Sequence, residues 1–165
     1  HRSPPTLLTP HPAEAARRLG CSTAEVQADR IAATREIARK LRAWVVLKGC
    51  GSIVAAPDGA WWINTSGNPA MATAGMGDVL TGLVTALLAR GWPAGDALLA
   101  AVHLHGAAAD QFCITHALDN GLLADEVAPA ARACFNAWVR PPENTGAPAA
   151  DGSFFGKTKK DSESA

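Results

Sequence analysis

Between Asn64 and Asp78 the chain reads Asn-Thr-Ser-Gly-Asn-Pro-Ala-Met-Ala-Thr-Ala-Gly-Met-Gly-Asp, a polar, glycine-rich run whose only charge is its last residue. Directly behind it Val79, Leu80, Leu83, Val84, Leu87 and Leu88 recur at helical spacing, and Gly91 supplies a stop. The pattern predicts a glycine loop feeding the N-terminus of a buried helix. At such a terminus the first backbone N–H groups lack partners, and the helix dipole adds about half a positive charge. That arrangement binds anions, phosphate above all. Asp78, at the mouth of such a site, is suited to take a proton from a hydroxyl while the N–H groups hold negative charge. The same residues also fit a plain turn with Asp78 as a helix cap, so the motif draws its meaning from its neighbours.

The bulk numbers narrow the class. A length of 165 residues suits one domain with a core. Lys and Arg number 15 and Asp and Glu also 15, which predicts no general attraction to nucleic acid or to an anionic membrane. Cys21, Cys50, Cys113 and Cys134 are far apart and form no C-x-x-C pair. They read as reduced, small apolar residues of a cytoplasmic protein, neither a disulfide framework nor a zinc site. His103, His105 and His116 are poorly spaced for zinc and read as helix residues, His105 buried near Gly106. No metal ligand set is assigned. No stretch reads as long and apolar enough to span a bilayer, and no signal peptide is seen.

Leu7-Leu8 reads as the end of a strand delivering Thr9-Pro10-His11-Pro12, with a helix opening at Pro12 and ending at Gly20. Ser22-Thr23-Ala24-Glu25 fits a capping box, and the helix it opens carries Val26, Ala33, Ile37 and Leu41 on one side. Its charges, Arg30, Arg35, Glu36 and Arg39 among them, read as a solvated face. Trp44-Val45-Val46-Leu47 has the pattern of a strand buried on both faces. Ile53 to Ala56 and Ala60 to Ile63 read as strands joined by the turn Pro57-Asp58-Gly59. Gly95 to Leu118 and Asp125 to Trp138 read as helices separated by Asn120-Gly121 as C-cap and turn. Residues 139–165 are rich in Pro, Gly, Ala, Lys and Ser and are expected to be a disordered tail after a domain over 1–138.

Two further pieces carry chemistry. Lys48-Gly49-Cys50-Gly51-Ser52 follows a strand, where ligand sites of open α/β sheets lie; its glycines admit a close ligand and Lys48 can neutralise phosphate. It is no Walker loop, and alone it also fits a tight turn. His11, held between two prolines, fits either a ligand contact or a helix cap.

Together Thr9-Pro10-His11-Pro12-Ala13-Glu14, Lys48-Gly49-Cys50-Gly51-Ser52, Gly67 to Gly82 and Gly106-Ala107-Ala108-Ala109-Asp110 fall in the order and spacing of one family. From about Leu7 to Asn136 the chain resembles the NAD(P)H-hydrate dehydratases. The resemblance implies a ribokinase-like, three-layer α/β/α fold with a mostly parallel sheet. It implies nucleotide-dependent dehydration of hydrated NADH and NADPH (NADHX and NADPHX), with ADP or ATP as phosphoryl donor and a divalent metal such as Mg2+. The ring hydroxyl is phosphorylated and phosphate then leaves. On this resemblance Asp78 is the catalytic base and also touches substrate, and His11 touches substrate. Lys48, Gly49, Cys50, Gly51, Ser52 and Gly77 line the nucleotide site, and the backbone of Ala74, Gly75, Met76 and Gly77 forms the anion hole. It further implies a homo-oligomer, an epimerase domain or partner, and a cytoplasmic setting.

Ala13 stands where the family usually has glycine, Ser52 where threonine is usual, and Ala74 where a second glycine is usual. Ala74 adds a methyl beside the anion hole, harmless when its φ is negative. The family domain has another strand-helix half before the His-Pro segment. The chain therefore reads as a C-terminal portion, with apolar sheet edges left open. Small-molecule kinases of the same fold, for hydroxymethylpyrimidine or hydroxyethylthiazole, share Gly-x-Gly-Asp, and an inactive remnant that only binds is the other alternative. The contexts of His11 and of Asn68-Pro69-Ala70-Met71 favour the dehydratase.

Overall fold

The chain enters through a two-residue strand, β1 (Leu7–Leu8), and turns at once into α1 (Pro12–Leu19). Pro12 takes a first-turn position whose N–H has no acceptor in any case, and Gly20 closes the helix in the left-handed region at φ 71°. The structure is a computed structural model and describes residues 5–140. The expected tail lies outside these residues from 141 onward.

The capping box forms as read: Ser22 accepts from the Glu25 amide, and the Glu25 carboxylate accepts from the Ser22 amide at 2.8 Å. The single helix expected behind it is two, α2 (Thr23–Ala28) and α3 (Arg30–Leu41). Asp29 breaks them apart with φ −142° and ψ 84°, and its carboxylate restarts the second by accepting from Ala32 N–H at 2.8 Å. Val26, Ala33 and Ile37 are buried as expected, but Leu41 is 47% exposed because α3 ends there.

Next come β2 (Trp44–Leu47), β3 (Ile53–Ala55) and β4 (Trp61–Ile63). The described strands form one sheet in the order β1-β2-β3-β4. β1 runs parallel to β2, and β2, β3 and β4 are successively antiparallel, so this part of the sheet holds one parallel pairing. The hairpin turn forms on Gly59 (φ 91°), with Asp58 Oδ1 accepting from Ala60 N–H at 3.0 Å.

Alternation along β2 divides the core. Val45 and Leu47 pack with Ala55 against α1, α2 and α3, while Val46 packs with Val54 on the opposite face. That second face is covered by α4 (Met76–Ala89), α5 (Ala94–His116) and α6 (Ala124–Val139), giving helices on both sides of the sheet. Gly95 opens α5 directly against Trp44, whose indole occupies the space a Cβ would need. The α5 C-cap is Ala117, left-handed at φ 52°, and not Asn120-Gly121. α6 runs to Val139, one residue into the segment read as tail.

α5 also corrects the reading that no stretch is long and apolar enough to cross a bilayer. It has 23 residues and an 18-residue window of mean hydropathy 1.2. Within the fold 56% of that window is buried, with packing against α4, α6 and β2. Its apolar length serves the core.

Candidate functional site

Lys48 leaves β2 at its carboxyl end, where its backbone N–H donates to Pro10 O at 2.9 Å and ties this loop to the Thr9–Pro12 segment. Gly49 and Gly51 take positive φ values of 142° and 62°, and Ser52 Oγ donates back to Gly49 O at 3.0 Å. Behind the loop stands Arg30. Its Nη2 donates to Leu47 O and Gly51 O, both at 3.4 Å, and a Cβ on Gly49 would lie 2.9 Å from its Nη1. Arg30 is therefore a half-buried brace for the loop and not part of a solvated face.

The glycine loop is held from α5. Asp110 accepts from Gly67 N–H and from Asn68 Nδ2, each at 2.8 Å. Ser66 Oγ lies 3.0 Å from the His103 carbonyl, and Gly106 lets the Ser66 backbone rest on the helix: a Cβ there would be 2.6 Å from the Ser66 carbonyl carbon. Buried Asn64 donates through Nδ2 to Ser66 O at 2.9 Å. Further along, Thr73 Oγ1 donates to Leu122 O at 2.7 Å. Among the described residues the non-glycine residues with positive φ are Arg42 and Ala117, so Ala74 carries its extra methyl without backbone strain.

Gly75 (φ 86°) starts α4 without a side-chain cap. The amides of Asp78 and Val79 both reach Gly75 O, at 3.0 and 3.1 Å. Those of Met76 and Gly77 come before them and have no intrahelical acceptor. Gly77 faces Lys48 so closely that a Cβ on it would lie 2.9 Å from Nζ. A full positive charge and the positive end of a helix thus meet at one point, the electrostatic requirement of an anion site.

This point lies on the wall of a cavity of about 680 Å3. Lys48, Gly49, Cys50, Gly51, Ser52 and Gly77, the nucleotide segment read from sequence, all line it. Of the four anion-hole residues, Met76 and Gly77 line it, whereas Ala74 and Gly75 are exposed outside it. Ile63, Leu80 and Val102 add apolar wall.

Asp78 is exposed, in the third position of α4, and is not part of that wall. One turn on, Thr81 Oγ1 lies 3.4 Å from Thr9 Oγ1, which brings this face of α4 beside the His11 segment. His11 is itself exposed and caps α1. Its Nδ1 accepts from Glu14 N–H at 3.3 Å, and its own N–H donates to the Glu14 carboxylate at 2.7 Å. That backbone bond is the main reason the Glu14 carboxyl sits below the usual range; burial opposes it, and His11, Lys48 and Arg17 add smaller lowering effects.

Three residues escaped the sequence reading of the site. Arg30 gave no local signal, since an arginine on a helix is ordinarily solvated. Asp110 is a lone acid in an alanine-rich run, a signal that was visible without its purpose. His105 is 9% exposed, its Nε2 is buried with no hydrogen-bond partner among the described residues, and it lines the cavity; burial holds its imidazole down to about 4. Cys50 departs from the reading of the cysteines as small apolar filler, being exposed at the cavity, whereas Cys113 is buried and Cys21 and Cys134 half-buried. Among the described residues no group of three or more His, Cys, Asp or Glu is arranged to hold a metal.

Known proteins are similar to this chain in sequence and in fold. The ADP-dependent (S)-NAD(P)H-hydrate dehydratase of Neisseria meningitidis is 53% identical over 134 residues, 81% of this chain and 44% of that protein. The bifunctional NAD(P)H-hydrate repair enzyme of Vibrio cholerae is 47% identical over 79% of this chain and 26% of its own length. The crystal structure of ADP/ATP-dependent NAD(P)H-hydrate dehydratase from Bacillus subtilis, co-crystallized with ATP/Mg2+, matches with a TM-score of 0.78 at 37% identity. It covers 84% of this chain and 50% of that one. A ribokinase-like superfamily protein of Enterococcus faecalis matches with a TM-score of 0.70 at 28% identity, over 82% of this chain and 45% of its own. The chain thus spans about half the length, or less, of the relatives it matches, and its fold is ribokinase-like. The family model for NAD(P)H-hydrate dehydratase matches residues 1–132, and the chain belongs to that family.

Proposed function

We propose that this chain carries the nucleotide and phosphoryl-transfer end of an ADP- or ATP-dependent lyase that dehydrates hydrated NADH and NADPH. The observation that carries the reading is the meeting of Lys48 Nζ with the uncapped start of α4 at Gly77, on the wall of a cavity of about 680 Å3. The residues fit a nucleotide. Lys48 and the Met76 and Gly77 amides face its phosphates, Gly49 and Gly51 let backbone approach closely, and apolar Leu80 and Val102 suit its base. When bound, the nucleotide supplies the phosphoryl group that turns a poor leaving group, hydroxide, into a good one, phosphate.

The chain's own residues do the rest. Lys48 and the first amides of α4 hold the charge that develops on the phosphoryl oxygens, where positioning and electrostatics dominate. Asp78, on the face of α4 turned to the Thr9–His11 segment, takes the proton from the substrate ring hydroxyl, and His11 borders the substrate. Donor and acceptor then approach the helix start from two sides. Mg2+, when bound, would be held chiefly by the nucleotide's own phosphate oxygens and would neutralise their charge, since no carboxylate lines this cavity among the described residues. The same proposal takes in a cytoplasmic setting, self-association, and an epimerase domain or partner. Relatives described as bifunctional support the last of these.

The test titrates the chain with ADP in a calorimeter and then measures return of reduced-nicotinamide absorbance from hydrated NADH with ADP and Mg2+. ADP binding and ADP-dependent recovery are expected. Asp78→Asn is expected to lower turnover by about 10²–10⁴ while leaving ADP affinity near wild type. Wild-type turnover in that variant removes the base role from Asp78, and a wild-type chain that ignores ADP removes the nucleotide reading.

A further inference from the structure

We infer that His105, through Nε2, is a specificity-determining contact that hydrogen-bonds an uncharged group of the nucleoside part of the cavity's ligand. This rests on the nucleotide reading above. The geometry comes first. Nε2 of His105 is buried, has no hydrogen-bond partner among the described residues, and belongs to a side chain that lines the cavity. Buried polar atoms are rarely left unpaired, and one at a ligand cavity points to a group that arrives with the ligand. Its placement on α5 is fixed by the clamp on the glycine loop. The neighbouring Gly106 touches Ser66, Ser66 Oγ reaches the His103 carbonyl at 3.0 Å, and Asp110 holds Gly67 and Asn68 at 2.8 Å each. The helix backbone that carries His105 is therefore held in place before any ligand arrives, which lowers the ordering cost of the contact.

Its charge state separates the two ends of the ligand. Phosphate is matched by Lys48 and the Met76 and Gly77 amides. Burial keeps the His105 imidazole neutral at physiological pH, so it offers one donor and one acceptor without charge. Such a group discriminates among nucleosides and adds little toward phosphate. A site built to bond a ligand N–H or O–H rejects an analogue that lacks it.

The test compares ADP with inorganic pyrophosphate as titrants of the full chain, for wild type, His105→Phe and His105→Gln. Phe keeps the ring and removes both nitrogens, whereas Gln keeps a neutral donor and acceptor. His105→Phe should weaken ADP about tenfold, or about 1.4 kcal/mol, with pyrophosphate almost unchanged, and His105→Gln should recover most of the loss. Unchanged ADP affinity in His105→Phe overturns the inference, as does an equal loss for ADP and pyrophosphate, the mark of a merely structural role. Should the Phe variant not fold, nitrogen NMR of His105 in the wild-type chain decides. Its Nε2 shift should move with ADP and stay still with pyrophosphate, and silence toward bound ADP overturns the contact. A wild-type chain that binds ADP with His105 silent refutes this inference alone; one that binds neither titrant refutes the nucleotide reading beneath it as well.

Discussion

Gly77→Ala separates the stability of this fold from its proposed anion site. A Cβ at Gly77 would sit 2.9 Å from Lys48 Nζ, the far end of a flexible side chain, and Gly77 does not have a positive φ. The helix accepts the methyl, and alanine gains up to about 1 kcal/mol over glycine in a helix, less in a first turn. The ammonium must swing away. Moving a unit charge pair from about 4 to about 6 Å at an effective dielectric near 20 loses about 1.4 kcal/mol, or about tenfold in affinity. Thermal unfolding of the variant should therefore show a midpoint equal to or above wild type. Calorimetric titration with ADP should show affinity lower by about tenfold. An unchanged ADP affinity, or a clear fall in the unfolding midpoint, would refute the view that Gly77 is glycine to make room for Lys48.

Gly106→Ala should behave in the opposite way. Its methyl meets the Ser66 backbone, so the glycine loop must lift off α5, at about 1–3 kcal/mol in urea unfolding. Gly82→Ala, with nothing within 4 Å of the new methyl, is the matched control and should stabilise α4 slightly; equal behaviour of the two would argue against the clamp. For pH, burial holds His105 at about 4 in the fold against 6.5 unfolded. Between those values the unfolded chain binds more protons, so stability falls as the solution is acidified. By about pH 4.5 this loss reaches about 2–3 kcal/mol. His105→Gln should remove that part of the slope in urea midpoints taken across the range, and identical slopes would count against a neutral, buried imidazole.

Much of the site was legible because it is local. The glycine run and the apolar spacing from Val79 to Leu88 encode a loop and an open helix start through backbone preference and periodicity alone. The start of α1 at Pro12 and the capping box at Ser22 are likewise contained within a few residues. Asp29 was missed because a helix break set by one residue leaves the apolar spacing on either side intact. The α5 C-cap was misplaced for a related reason: Ala117 takes a left-handed conformation that glycine usually marks.

The sequence by itself therefore determined most of the elements, the glycine loop and the open helix start, since these depend on contacts within a turn or two. The tertiary structure alone decided which of them meet. Lys48 and Gly77 are separated along the chain by a hairpin and a loop, and their juxtaposition arises only when α4 packs on the face of the sheet that β2 shares with it. Arg30 became a brace, Asp110 a clamp and His105 an unpaired group in a cavity wall for the same reason. A side chain's hydrogen-bond partners and its exposure to water are set by segments distant in sequence, and no local pattern encodes them.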